Sequence, residues 1–217
     1  MISVSLVPYV SNHDLNNVSV DGLAYRDFCL QFKSGHDWAT KKAAMMVGDG
    51  LKRNNMKNVV FLCVPASTRT KTARRYKRFS SMVCSICGAE DGFSYLWRDS
   101  DYKAEHLTTR HYNPEAHTSR LLMDEDKISG KKIVLFDDVC RSGNTMQAAI
   151  GEIQKHGGKV AIAITLGRTV HRACDGFRNL PNPEKGEVQR RVPGCCQREM
   201  LPSLMSIARD TSPYRGA

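Results

Sequence analysis

One stretch in the second half of the chain sets the strongest limits on the fold. Four apolar residues, Ile133–Phe136, run directly into two adjacent acids, Asp137 and Asp138, and a short loop containing Gly143 follows. The apolar run has no polar alternation, which predicts a strand covered on both faces, as in a parallel sheet. The acids then lie beyond the carboxyl end of the strand, where such sheets bind ligands.

A helix and a second strand are predicted directly after this loop. The next apolar positions have the spacing i, i+3, i+4, i+7 of an amphipathic helix. They are Met146, Ala149, Ile150 and Ile153. The pair Gly157–Gly158 is typical of a helix end, and the apolar run 160–166 predicts another buried strand. The region is therefore a strand–loop–helix–strand unit.

The loop has the features of an anion site. Gly143 lacks the Cβ that would keep a phosphate away from backbone amides, and a helix N-terminus adds unpaired amides and its dipole. Neighbouring side chains of a strand point in different directions, so Asp137 and Asp138 meet one ligand only if the chain curls after the strand. This pattern predicts a site for a sugar with free hydroxyls and a phosphate. The alternative is an ordinary surface turn with two solvated acids.

Residues 133–145 resemble the phosphoribosyl pyrophosphate (PRPP) motif of type I phosphoribosyltransferases, which has four hydrophobic residues, two acids, a hydrophobic residue and a Thr-Thr-Gly-x-Thr-like loop. The resemblance implies that Asp137 and Asp138 are the catalytic pair, hold the ribose 2- and 3-hydroxyls and contact Mg²⁺ directly or indirectly. It also implies a 5-phosphate loop made of Cys140, Arg141, Ser142, Gly143, Asn144 and Thr145. Arg141 stands where the family usually has Thr, which adds a positive charge.

The resemblance also implies the fold: an α/β protein of the type I phosphoribosyltransferase fold, with a mostly parallel central sheet flanked by helices and a small variable hood. We expect this domain, including N-terminal hood elements, over residues 1–170. Residues 171–217, rich in Pro, Gly and Arg, are expected to form a partly disordered extension, with a partner-binding segment as the alternative. Outside the motif the patterns predict strands at 2–10 and 24–32 and a helix at 38–52. Its apolar face holds Ala39, Ala43, Met46 and Val47.

A second loop is expected beside the first. The apolar run Val59–Val64 predicts another buried strand, and residues 65–69 follow it immediately. In type I phosphoribosyltransferases a short loop after an earlier core strand binds pyrophosphate. Order along the chain therefore implies this role for Ala66, Ser67, Thr68 and Arg69. Amides, hydroxyls and a guanidinium suit that anion, although Ser67 and Thr68 are equally suited to capping a helix.

Positive charge is concentrated in one segment. Six basic residues and no acid lie between Arg69 and Arg78, and they supply more than half of the formal charge of +10. Three interpretations remain open: a solvated helix face, a rim that attracts the polyanion PRPP, and a nucleic-acid contact surface.

Several short patterns resemble ComF-like proteins, a competence-associated branch of the family. They comprise Leu30–Lys33, Val64–Arg69 together with Arg75, Arg78 and Phe79, His106–Asn113 including Arg110, and Thr165–Thr169. The N-terminal zinc-binding cysteine cluster of that branch is missing. Cys84 and Cys87 have the spacing of zinc ligands, but a second close pair is needed for a full site.

Residues 88–130 lack sustained apolar periodicity, and the family usually has a flexible loop here that closes over PRPP. Arg110 is the candidate phosphate contact in this loop. Further candidates, each also consistent with a packing or surface role, are Tyr95, Trp97, Arg98, Tyr102 and His111.

The resemblance implies an enzyme of nucleotide metabolism, a pentosyltransferase. It would transfer a phosphoribosyl group from PRPP to a nitrogenous acceptor in a Mg²⁺-dependent reaction that releases pyrophosphate. The alternatives are a PRPP-sensing regulator that binds nucleic acid and a DNA-uptake or DNA-processing accessory protein. We expect a cytoplasmic protein without membrane contact, because no apolar run approaches the ~18 residues of a membrane helix and the N-terminus has no basic region typical of a signal peptide. The resemblance implies a homodimer, since members of this family are commonly dimers.

Overall fold

The structure is a computed structural model that describes residues 1–12, 18–99 and 121–170. In chain order its elements are β1 Ile2–Val10, α1 Val20–Lys33, α2 Asp37–Leu51, β2 Val59–Cys63, α3 Arg69–Thr72, a π-helical turn Ala73–Lys77, α4 Arg78–Cys87, β3 Glu90–Asp91, β4 Leu96–Arg98, β5 Leu121–Met123, α5 Glu125–Ile128, β6 Lys132–Cys140, α6 Asn144–Lys155 and β7 Lys159–Val170.

A five-stranded sheet of order β1-β7-β6-β2-β3 forms the centre, and every neighbouring pair in it is parallel. The strands β4 and β5 pair separately as a short antiparallel ribbon. The predicted α/β fold with a parallel sheet flanked by helices is therefore confirmed.

Both faces of the sheet are covered, as the unbroken apolar runs predict. Along β6, Val134 and Phe136 pack into one core cluster with residues of α1, α2 and α4. Ile133 and Leu135 pack into the other cluster with α5, α6 and the β4–β5 ribbon. This alternation follows from the two-residue period of a strand.

Three predicted elements are confirmed with small shifts of their ends. The strand at 59–64 is β2, the helix at 38–52 is α2, and the four predicted apolar residues of α6 are all buried. The strand at 2–10 is β1, which lies within the main sheet as the neighbour of β7. That α1 and α2 act as a hood remains a prediction.

The strand predicted at 24–32 is wrong, because these residues belong to α1. The Ser19 side chain caps the helix by accepting a hydrogen bond from the Gly22 amide at 3.1 Å. Phe28, Cys29 and Phe32 lie on one face and are buried against the sheet. Aromatic side chains favour strands locally, but tertiary packing overrides that preference here.

The region expected to be a mobile loop is built into the fold at both of its ends. Residues 88–99 contribute β3 and β4, and residues 121–130 contribute β5 and α5. These elements span only two to four residues each, which is too short for any periodicity to show in the sequence. Residues 100–120, with Arg110, Tyr102 and His111, and the extension 171–217 lie outside the described residues.

No helix in the described ranges is long and apolar enough to cross a membrane.

Candidate active site

The chain changes direction across the sheet between β2 and β6. From β2 it continues to the edge strand β3, whereas from β6 it continues to β7 on the opposite side. Such a switch point leaves a crevice at the carboxyl ends of the two strands, where open parallel sheets bind ligands. A hydrogen bond of 2.8 Å from the Val64 amide to the Phe136 carbonyl joins the strands at this point. Both predicted loops leave the sheet here.

The two acids lie within β6 rather than beyond its end. The expectation that the strand stops at Phe136 is wrong, since β6 continues to Cys140. The cause is β7, which is longer than β6, with twelve residues against nine, and pairs with Asp137, Val139 and Cys140. The chain therefore does not curl directly after the acids, and other side chains hold their carboxylates in place.

Asp138 is buried and faces two cations. Its Oδ2 accepts a hydrogen bond from the Arg75 guanidinium, and its Oδ1 lies 4.0 Å from Lys33 Nζ. The Val139 amide donates to the same Oδ1 at 2.5 Å. Arg75 Nε also donates to the Lys33 carbonyl at 3.3 Å. Burial is the largest influence on Arg75 and disfavours its charge, but Asp138, Tyr76 and Asp137 together outweigh burial, so the pKa of Arg75 is raised.

Asp137 has a different environment. Its Oδ1 accepts a hydrogen bond from the Asp138 amide at 2.8 Å and lies 3.5 Å from the Tyr76 hydroxyl, the donor in that contact. Burial, followed by repulsion from Asp138, raises the pKa of Asp137 to about 7. Burial also raises the pKa of Tyr76, which keeps it a phenol donor. No described residue donates to Oδ2 of Asp137, so this oxygen remains available to a ligand.

The predicted phosphate loop spans the end of β6 and the first turn of α6. Gly143 has a φ of 89° and is the N-cap residue of α6, a conformation that glycine adopts without strain. The Asn144 amide donates to Ser142 Oγ at 3.4 Å. The amides of Thr145 and Met146 have no acceptor among the described residues, as expected for a helix start. Arg141 and Ser142 are exposed.

The predicted pyrophosphate loop is largely buried on one side. Ser67 is 9% exposed, and its Oγ lies 3.5 Å from Lys71 Nζ. Thr68 caps α3 by accepting a hydrogen bond from the Lys71 amide at 3.1 Å, so the helix-cap interpretation of Thr68 is confirmed. From behind, Arg98 Nε donates to the carbonyls of Pro65 and Ala66 at 3.2 and 3.1 Å.

The basic segment 69–78 divides among several surroundings. Arg75 reaches the acid pair, Lys71 reaches the pyrophosphate loop, and Arg78 pairs with Asp37 on the surface. Arg74 and Lys77 are exposed. The segment is therefore neither a uniform solvated face nor a uniform external patch, since some of its cations face the crevice.

Magnesium fits this acid pair only together with oxygens from a substrate. Within the described ranges no group of three or more His, Cys, Asp and Glu side chains could hold a metal ion. Mg²⁺ is commonly bound by one or two carboxylates plus substrate phosphates and waters, and Asp137 and Asp138 offer such a pair. The same result gives a zinc site at Cys84 and Cys87 no support within these ranges.

Three residues beside the two loops carry contacts that sequence patterns do not assign. Lys33 and Tyr76 lie against the acid pair, and Arg98 lies behind the pyrophosphate loop. Tyr76 is the buried residue of the π-helical turn, and an aromatic residue among basic ones is compatible with a turn that faces the protein interior. Arg98 is one of several candidates in the predicted flexible loop, but the sequence gives no signal of these contacts, because its partners lie 32 and 33 residues away.

A comparison of this chain with models of protein families identifies its family. The model of the phosphoribosyl transferase domain matches residues 50–176, more than half of the chain, and this span includes both loops and both acids. The chain belongs to the phosphoribosyl transferase domain family. The match does not separate branches of this family, so the ComF-like resemblance remains a prediction. No curated protein matches the chain.

Two solved structures are similar to this chain at low sequence identity. Adenine phosphoribosyltransferase from Leishmania tarentolae is 13% identical, with 75% of this chain and 83% of that chain covered and a TM-score of 0.40. The allosteric regulatory enzyme of purine biosynthesis is 16% identical, with 62% of this chain covered and a TM-score of 0.37. The alignment spans 25% of that enzyme's chain.

Proposed function

We propose that this protein transfers the phosphoribosyl group of PRPP to a nitrogen atom of a small acceptor and releases pyrophosphate in a Mg²⁺-dependent reaction. The observation that carries the proposal is the position of Asp137 and Asp138 at the switch point of the sheet, between the loop after β2 and the loop after β6. In a member of this family, that arrangement offers one binding group for each part of PRPP.

The 5-phosphate is assigned to the loop from Cys140 to Thr145. The unpaired amides at the start of α6 and the positive end of its dipole favour an anion there. The exposed guanidinium of Arg141 adds a positive charge beside this loop. In this assignment the side chain of Cys140 has no chemical role, since the backbone makes the contact.

The ribose hydroxyls are assigned to the acid pair. Oδ2 of Asp137 accepts from a hydroxyl, while Tyr76 and the Asp138 amide fix the orientation of the carboxylate through Oδ1. Asp138 is paired with Arg75 and also faces Lys33. A carboxylate has about four acceptor positions, so Asp138 retains capacity for a second hydroxyl.

The pyrophosphate is assigned to residues Ala66–Arg69. During transfer the bond between the anomeric carbon and the pyrophosphate oxygen breaks, and its electron pair leaves with pyrophosphate. The acceptor nitrogen supplies the pair for the new bond. Positive charge develops on the ribose and negative charge on the leaving group, so amides and cations that are already oriented stabilise the departing group. Magnesium, held by the acid pair and the substrate, would add positive charge to that same group.

A screen of acceptors tests this proposal. Purified protein with Mg²⁺ and PRPP is offered individual nucleobases and amines, and pyrophosphate release is measured. Release that depends on one acceptor supports transfer. Absence of PRPP binding by calorimetry would contradict the assignment of the whole site.

A second candidate function is supported by the surface cations of the basic segment. Arg74 and Lys77 are exposed and flank Arg75 and Tyr76, which contact the acid pair. This arrangement suits a regulator that binds nucleic acid and uses PRPP as a signal. Such a protein would bind PRPP without turnover. Its affinity for nucleic acid would fall with salt, with a slope that counts the phosphates it neutralises.

A further inference from the structure

Arg98 is a buried arginine directly behind the loop that we assign to pyrophosphate. The residue is 4% exposed, and no other lysine or arginine in the described ranges is equally buried. It ends β4, where it pairs with Leu121 of β5. Its Nε donates to two consecutive carbonyls, those of Pro65 and Ala66, at 3.2 and 3.1 Å.

These two hydrogen bonds fix the direction of two backbone amides. In a trans peptide the carbonyl and the N–H of the same peptide unit point in opposite directions, and the described chain has no cis peptide bond. The carbonyls of Pro65 and Ala66 face Arg98, so the amides of Ala66 and Ser67 face away from it.

Those amides have no acceptor among the described residues. Two successive amides that point to the same side form a concave anion-binding surface of the kind that holds phosphates. Buried amides are normally paired, so a partner is expected on the open side of the loop. The geometry therefore prepares the loop for an anion before any ligand arrives.

We propose that Arg98 is a positioning residue that holds the amides of Ala66 and Ser67 in the orientation needed to bind the pyrophosphate group of PRPP. This inference rests on the proposed function, because it deepens the assignment of the same loop. Arg98 acts through the backbone and does not touch the substrate.

A purely structural arginine would behave differently on mutation. It would lower stability and weaken every ligand of the crevice to a similar extent. A positioning residue weakens only the ligand that the loop holds. Ribose 5-phosphate has the sugar and the 5-phosphate but no pyrophosphate, whereas magnesium pyrophosphate has only the other part. The two ligands therefore separate the two roles.

The experiment compares wild type, Arg98→Met, Arg98→Lys and the control Arg53→Met by calorimetry with both ligands. Arg53 is exposed and lies between α2 and β2, before the amino end of β2, whereas both loops follow the carboxyl ends of their strands. Losing the two oriented hydrogen bonds predicts a roughly tenfold weaker affinity of Arg98→Met for magnesium pyrophosphate, with ribose 5-phosphate affinity within about twofold. Arg98→Lys is expected to lie between, because an ammonium lacks the fixed geometry of a guanidinium.

Folded Arg98→Met protein with wild-type pyrophosphate affinity would overturn the role of Arg98 and leave the proposed function in place. Wild-type protein that binds neither PRPP nor pyrophosphate would overturn the proposed function and the inference with it. If the variants do not fold, the proposal can still be tested by NMR on the wild-type protein. The amide resonances of Ala66 and Ser67 should shift on addition of magnesium pyrophosphate, and unchanged resonances would contradict the proposal.

Discussion

Arg75 and Asp138 lie 63 residues apart in the sequence and form an ion pair inside the fold, with their side chains 13% and 8% exposed. The pair connects the π-helical turn after α3 to the end of β6. It also neutralises one of two adjacent acids, which would otherwise repel each other in a poorly solvated crevice.

Removing Arg75 is therefore expected to destabilise the fold. Arg75→Met leaves Asp138 buried with only Lys33 at 4.0 Å, and an unpaired buried charge costs about 3 kcal/mol. Urea unfolding measures the loss. Arg78→Met is the matched control, because Arg78 is paired with Asp37 on the surface. Its unfolding free energy should stay close to that of wild type. If the two variants lose the same unfolding free energy, the buried pair contributes no more to stability than the surface pair.

The part of the fold that the sequence predicts best is the unit from β6 to β7. Its signals are local and long: an unbroken apolar run, a helical spacing of Met146 to Ile153, and a second apolar run. The position of the acids in that unit also follows from local order. The continuation of β6 to Cys140 does not, since it depends on pairing with β7.

The contacts that hold the site in place could not be predicted because they join distant segments. Lys33 comes from α1, which the sequence alone suggested was a strand. Arg98 comes from a three-residue strand in a region without periodicity. Lys33 and Arg98 reach their partners only because α1 and the β4–β5 ribbon pack against the sheet. A local sequence pattern cannot predict that packing.

Single substitutions of the two acids should have different consequences. Asp137→Asn retains an oxygen that can accept from Tyr76 and the Asp138 amide, so the fold should be little affected while PRPP affinity falls by about tenfold or more. Asp138→Asn leaves Arg75 and Lys33 facing a neutral side chain, so stability should fall as well. The double variant should lose PRPP binding while remaining folded.

Calorimetry with PRPP, together with thermal unfolding of the same samples, measures both effects. Inorganic phosphate is the internal control, since its site in the loop after β6 does not need the acids. The assignment of the ribose would be contradicted by a double variant that still binds PRPP with wild-type affinity.

The raised pKa of Asp137 predicts how stability depends on pH in metal-free buffer. An unfolded aspartate has a pKa near 3.9, while burial raises that of Asp137 to about 7. Between these values the folded protein binds a proton that the unfolded chain does not. The contribution of Asp137 to the unfolding free energy therefore falls as pH rises from about 4 to about 7 and is constant above that.

Unfolding free energies of wild type and Asp137→Asn, measured at half-unit pH steps, isolate this contribution. Their difference should change with pH by no more than one proton's slope and should level off above pH ~7. Parallel curves for the two proteins would mean that Asp137 titrates in the folded state as it does in the unfolded chain.

Gly143 and Gly130 offer a matched pair of substitutions for testing the phosphate loop. Both have positive φ, 89° and 71°, and an added Cβ has room at each: it would lie 3.8 Å from Cys140 Sγ at Gly143, and nothing lies within 4 Å at Gly130. Alanine should thus destabilise the fold by about 1 kcal/mol at each position through backbone strain alone.

Only at Gly143 does relief of that strain turn the first amides of α6 away from an anion. Ribose 5-phosphate affinity should fall about tenfold in Gly143→Ala and stay unchanged in Gly130→Ala. If both variants lose stability equally and both retain the ligand, the loop after β6 does not hold the 5-phosphate through its amides.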